Sequence, residues 1–378
     1  MCNIDMITGL RHSCRKVTCC IMTDISPEHY VELENAEHPG TVPDSHVSRR
    51  AFLSALAGTG IGVSALYLGL RVDTEVGDAV YGGGDPEIGV VADARAEQRF
   101  PRHFNLVLGG FGVYDTARLA RAMHPSLKHF GQTAFIKNSN SGLDIEKQKR
   151  ATLDFLDEHD AEVVNLDGHS MAGMVAVEIG KYLISNGIHV QGVLLDCSPE
   201  RKYDLRPDKL VGAELLAAVD RYTEALDISG GPVSRFGIES AARILEGRVD
   251  YRQITQEALR KLHPKNASNR LLEDQARYID VFQGSEFGPE YPAATVVGKL
   301  RPLDWSADPT INNQTALTGW RVDAFPQLTV HDVAIKGGGH ANPGAAGAKY
   351  TETITQFGIE QNLYQPLWSP TQTHIFPD

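Results

Sequence analysis

The chemistry of this chain centres on Ser170. It stands in Asp167-Gly168-His169-Ser170-Met171-Ala172-Gly173, between the apolar run 161–166 and a stretch of helical spacing that begins at Met171. A serine on a sharp strand-to-helix turn projects its hydroxyl from the chain, and the next backbone N–H lies on the same side. The pattern Gly-x-Ser-x-Gly is met with one departure: Ala172 takes the second glycine position, and Gly173 follows it. Such a hydroxyl is a weak nucleophile without a base. His340 is placed to serve, because Gly337, Gly338 and Gly339 precede it and leave nothing bulky to keep its ring away. His169 cannot fold back onto its own neighbour, so we expect it to line a pocket or to pack. A carboxylate must orient the base and stabilise the imidazolium. In the chain order serine, acid, histidine, Asp196 is the preferred candidate, and Asp304 and Asp308 are the alternatives. An oxyanion needs two backbone donors. The N–H of Met171 is one. The loop Gly109-Gly110-Phe111-Gly112 offers the other, from Phe111 or from Gly110. That loop lacks the Gly-x-Gly-x-x-Gly spacing of a dinucleotide site.

Strands and helices alternate around these residues. Short apolar runs at 105–108, 133–136, 161–166 and 190–195 read as strands. Amphipathic stretches at 115–124, 144–159 and 171–186 read as helices between them. That alternation predicts an α/β fold: a mostly parallel central sheet with helices on both faces. Residues 200–288 break the pattern and read as a helical lid insertion, with Leu210, Leu215, Leu216, Val219 and Leu226 as its apolar stripe. The sheet then resumes at 294–297 and 328–335, and a final helix covers 346–361. A weak edge strand is expected at 88–91.

The serine turn and the histidine loop resemble those of the α/β-hydrolase superfamily, over roughly residues 103–365. The resemblance implies an α/β-hydrolase fold with a catalytic domain of residues 103–199 and 289–378. It also implies a serine hydrolase working through an acyl-enzyme, with no metal or organic cofactor. Asp196 ends the strand after the nucleophile, where the thioesterase branch of the superfamily keeps its acid, in segments similar to Leu195-Asp196-Cys197-Ser198. That placement tilts the expected substrate toward a small-molecule acyl ester or thioester. An acyltransferase, or a binding or envelope protein on the same body, is the alternative.

The chain has 36 Lys+Arg against 48 Asp+Glu, a formal charge of −12, which leaves no basic footprint for nucleic acid. Of five cysteines only Cys197 lies in the body, so that body forms no internal disulfide. Cys2, Cys14, Cys19 and Cys20 lack a second ligand pair at zinc-like spacing. Met22 offers a second start. Residues 1–47 read as disordered, and 22–47 are polar with no apolar period. Ser48-Arg49-Arg50-Ala51-Phe52-Leu53 resembles a twin-arginine export signal, and the uncharged run 51–70 is long enough to span ~30 Å of hydrocarbon. The arginines before it and the acids Asp73, Glu75 and Asp78 after it orient the body outward. The expectation is a catalytic domain outside the cytoplasmic membrane, anchored through 51–70 or released by cleavage, and delivered by export machinery. Residues 71–102 form a connector.

Overall fold

Strands buried on both faces need near-continuous apolar runs, and the described sequence supplies them. A computed structural model describes residues 84–207, 209–210, 267–344 and 346–363. The arginine pair, the run 51–70, and Leu215, Leu216, Val219 and Leu226 lie outside the described residues. Among the described residues no helix is long and apolar enough to cross a membrane.

Seven strands form one sheet in the order β1-β3-β2-β4-β5-β6-β7. They are β1 (Glu87–Val90), β2 (His103–Leu108), β3 (Gln132–Lys137), β4 (Val163–His169), β5 (His189–Asp196), β6 (Val296–Pro302) and β7 (Val330–Ile335). The edge strand β1 is antiparallel to β3, and every other pairing is parallel. All residues of β2 and β4 are buried, as expected for strands covered on both faces. Two asparagines break their apolar run, and their amide donors are used: Asn165 Nδ2 donates to Asn105 Oδ1 at 2.9 Å, and Asn105 Nδ2 donates to the Leu127 carbonyl at 2.8 Å.

The helices are α1 (Ala94–Arg99), α2 (Ala117–Leu127), α3 (Ile145–Glu158), α4 (Ala172–Ser185), α5 (Asn269–Val281), α6 (Asn313–Gly319) and α7 (Gly347–Glu360). The sheet separates two cores. One joins α3, α4 and α5 through Phe155, Val175, Ile179 and Ile279. The other joins α2 and α7 through Met123, Tyr350 and Phe357. Burying each such side chain contributes about 1.5–3 kcal/mol. Helix α1 falls within the expected connector; Asp93 caps it by accepting from Arg95 N and Ala96 N. The strand expected at 294–297 starts at Val296 and runs on to Pro302. Within the expected lid, residues 211–266 lie outside the described residues, α5 is helical, and Leu210 packs against the main core.

The chain leaves β2 for β3 on one side and returns to β4 on the other side of β2. At such a switch point a crevice opens beyond the carboxyl ends of the strands. The loop after β2 and the turn after β4 both meet there.

Candidate active site

Ser170 and Met171 fill the gap between β4 and α4. Ser170 has φ of 55°, a left-handed backbone that costs a non-glycine residue about 1–3 kcal/mol unless its surroundings impose it. The surroundings do: Ser170 N–H donates to the Asp196 carbonyl at 2.8 Å, and Gly173 N–H donates to the Ser170 carbonyl at 3.0 Å. Cys197 (φ 47°) and Ala341 (φ 38°) share this conformation, one beside Asp196 and one beside His340. Three of the five non-glycine residues with positive φ among those described thus flank this one place.

The glycine pattern also has a local cause. A Cβ on Gly168 would sit 2.5 Å from the Gly173 Cα, and one on Gly173 would overlap the Ser198 hydroxyl. The close approach therefore falls on Gly173, and Ala172 is accommodated, buried in the core beneath the turn.

His340 Nε2 lies 2.9 Å from Ser170 Oγ. Its other nitrogen, Nδ1, faces Asp308, at 3.0 Å from Oδ1 and 3.1 Å from Oδ2. A carboxylate only accepts, so Nδ1 carries the proton and Nε2 is left to accept the serine hydroxyl hydrogen. Asp308 is fully buried. Burial alone would raise its pKa, but the hydrogen bond and charge of His340 and the amides of Ile311 and Thr310 hold it well below the usual carboxylate range. Arg206 Nε donates to the Asp308 carbonyl at 2.6 Å, and Asn312 N–H donates to the Asp204 carbonyl at 2.7 Å. The segment leaving β5 thus clasps the loop that carries Asp308.

This corrects the preference for Asp196 as the partner of His340. Asp196 ends β5 beneath the turn, where its carboxylate meets His169 Nδ1 at 2.8 Å and accepts from the Tyr350 hydroxyl at 3.2 and 3.3 Å. Asp304 is spent differently again, capping a short turn by accepting from Ser306 N and Ser306 Oγ. His169 packs rather than lining a pocket: it is buried with Asp196 on one side and Asp167 at 3.4 Å on the other. Burial would lower its pKa, but the two carboxylates outweigh that and raise it to about 10.

The loop after β2 adjoins Ser170. A Cβ on Gly110 would lie 2.7 Å from the His169 carbonyl oxygen and 2.9 Å from the Ser170 Cβ. Gly112 N–H is already taken by Gln275 Oε1 of α5 at 2.8 Å. The N–H groups of Met171 and Phe111 have no partner among the described residues. A hollow beside Met171 is lined by Leu108, Ile136, Leu143 and Val175, with Asn138 and Gln148 at its polar side.

Cys197, Asp308 and His340 bring one ligand atom each within 4.8 Å of one another. A metal there would have to part His340 from Asp308, and burial pushes the Cys197 thiol well up, against the thiolate that binds metal. Sequence reasoning missed Gln275, Asn313 and Lys299. The first two reach the site from helices far along the chain, and the third is a strand lysine that looks solvent-facing in sequence.

No family model matches the chain, and no curated protein matches it. Among solved structures it is similar to an esterase from a marine microorganism, at 16% identity and TM-score 0.45, covering 73% of this chain and 97% of that one. It is similar to an esterase from Exiguobacterium antarcticum at 12% identity and TM-score 0.44, covering 72% and 94% of the two chains. A monoacylglycerol lipase from Paleococcus ferrophilus gives 12% identity and TM-score 0.45, covering 74% and 100%. The chain's own strand order, its antiparallel edge strand and the serine turn after β4 are those of the α/β-hydrolase fold.

Proposed function

We propose that the protein is a serine hydrolase that cleaves a small carboxylic ester through an acyl-enzyme on Ser170. The observation that carries this reading is the run of contacts from Ser170 Oγ to His340 Nε2 at 2.9 Å and from His340 Nδ1 to Asp308 at 3.0 Å. Ser170 Oγ bonds to the acyl carbon as its proton passes to His340 Nε2. Asp308 keeps the imidazole in the accepting tautomer and stabilises the imidazolium. The N–H groups of Met171 and Phe111 hold the oxyanion, with Gly110 keeping the backbone close to Ser170. His340 then returns the proton to the leaving oxygen as the acyl bond breaks. Water, giving a proton to His340, releases the acid and restores Ser170.

The tilt toward thioesters rested on Asp196 as the acid. With Asp308 facing His340 that reason falls away, and an ester is the simpler substrate. The test is a pre-steady-state reaction with p-nitrophenyl acetate in excess. A burst of one p-nitrophenolate per chain is expected, with an acetyl group on the peptide carrying Ser170. Steady release without a burst, unchanged in Ser170→Ala, would overturn the proposal.

Export rests on the sequence of residues 48–70 alone. We propose that the body is delivered across the cytoplasmic membrane. Fractionating cells that carry the full chain, beside Arg49→Lys/Arg50→Lys, tests this: the variant should stay in the cytosol, and equal export of both ends the proposal.

A further inference from the structure

The orienting carboxylate is itself held, and behind one of its holders stands a buried lysine that the proposed chemistry does not use. Asp308 Oδ1 accepts from Thr310 N at 2.8 Å and Ile311 N at 3.0 Å. Oδ2 depends on a side chain: Asn313 Nδ2 donates to it at 2.7 Å. An asparagine amide has a donating end and an accepting end, and only one orientation serves a carboxylate. Asn313 opens α6 and is buried, so water does not choose the orientation. Lys299 does. Its Nζ donates to Asn313 Oδ1 at 2.9 Å, and its other contact is the Leu300 carbonyl at 3.5 Å. An amine below and a carboxylate above leave one satisfied arrangement of the amide: oxygen toward Lys299, nitrogen toward Asp308.

We propose that Lys299 is a positioning residue for the reaction, acting through Asn313 to fix Asp308 and hence the tautomer of His340. The inference rests on the serine-hydrolase reading. Lys299 lies on β6 beside β5, fully buried. The titratable groups around it are Cys197, Asp196, Asp308 and Asp204, and burial lowers its pKa. The relay does not depend on its charge, because a neutral amine still donates to the Asn313 oxygen.

The test uses the full chain and two readouts: the rate at which a fluorophosphonate labels Ser170, and kcat and KM for p-nitrophenyl acetate. Lys299→Met fills the same space without a donor, and Asn313→Leu removes the amide. Each is expected to slow labelling and lower kcat on the order of 10- to 100-fold, the loss expected from slight misplacement of a catalytic group, with KM unchanged. The double variant should be no slower than Asn313→Leu alone, because both changes cut one relay. Lys299→Gln keeps a donor and should restore labelling to within a few-fold. A purely structural lysine would give the opposite ranking, with the apolar Met tolerated best. Wild-type labelling in a folded Lys299→Met, or losses that multiply in the double variant, overturns the proposal. Should Lys299→Met not fold, wild-type labelling in Asn313→Leu does so alone. Failure of the wild type to label overturns the hydrolase reading instead.

Discussion

Asp308→Asn replaces one carboxylate oxygen by NH2 and changes little in shape, so its effect can be worked through atom by atom. The amides of Thr310 and Ile311 need an acceptor at the Oδ1 position, so the new carbonyl oxygen stays there. The NH2 then falls where Oδ2 was, 2.7 Å from the donating Asn313 Nδ2 and 3.1 Å from His340 Nδ1, whose hydrogen bond is made to Oδ2 and not to Oδ1 at 3.0 Å. Donor facing donor is relieved at His340 if the ring moves its proton from Nδ1 to Nε2. The proton on Nε2 now points at Ser170 Oγ, and the base can no longer accept from it. Where a triad acid is changed in this way, turnover falls about 10⁴-fold. That is about 5.5 kcal/mol of transition-state stabilisation. The remaining clash at Asn313 adds a stability cost of about 1–3 kcal/mol for an unsatisfied buried donor. The assay is the rate of fluorophosphonate labelling at Ser170, with circular dichroism to confirm folding. Asp196→Asn is the control: it removes charge beside His169 but leaves the Asp196 carbonyl that holds Ser170 N–H, so labelling should fall less than about tenfold. Near-complete loss in Asp196→Asn with full labelling in Asp308→Asn would refute the reasoning.

Three further outcomes follow from the same geometry. Gly173→Ala should abolish labelling or unfold the protein, because the new methyl overlaps the Ser198 hydroxyl; a melting temperature and labelling rate equal to wild type would contradict this close packing of the turn. Gly110→Ala presses a methyl against Ser170 and the His169 carbonyl, so labelling should drop at least tenfold, by about the effect of misplacing a catalytic group, while the melting temperature moves by only a few degrees. His169 titrates near 6.5 when unfolded and at about 10 when folded, its pKa held up by Asp167 and Asp196 against burial. Its pairing therefore stabilises the fold fully below pH 6.5 and fades as pH rises toward about 10. In His169→Gln that part of the fall in Tm with pH should be missing, and parallel curves for the two proteins would sink the ion-pair assignment.

What could be read from the sequence was local. The serine turn announces itself because a strand, a small-residue turn and a helix follow one another within a short stretch of chain. The glycines before His340 are equally local. The acid was not legible, because Asp196, Asp304 and Asp308 all satisfy the chain order and only packing separates them. Asp196 is drawn under the turn by His169 and Tyr350. Part of the difficulty lies in β6, whose last residues carry Lys299 and Arg301 and look like the start of a loop. Both are buried: Lys299 is satisfied by Asn313, and Arg301 is paired with Asp332 at 2.7 and 2.8 Å and stacked 3.6 Å over Trp305. The loop that carries Asp308 to His340 begins only after Pro302. No spacing rule shows a long-range contact such as Gln275 on Gly112 or Arg206 on the Asp308 carbonyl.

The central claim is that Ser170 is a nucleophile made reactive by His340. The most direct measurement is fluorophosphonate labelling of the full chain, with the adduct mapped by mass spectrometry beside Ser170→Ala and His340→Ala. One adduct per chain is expected, on Ser170, absent in the first variant and slowed by several orders of magnitude in the second. A folded wild-type protein that takes no label, or one that labels equally well without His340, would contradict the claim.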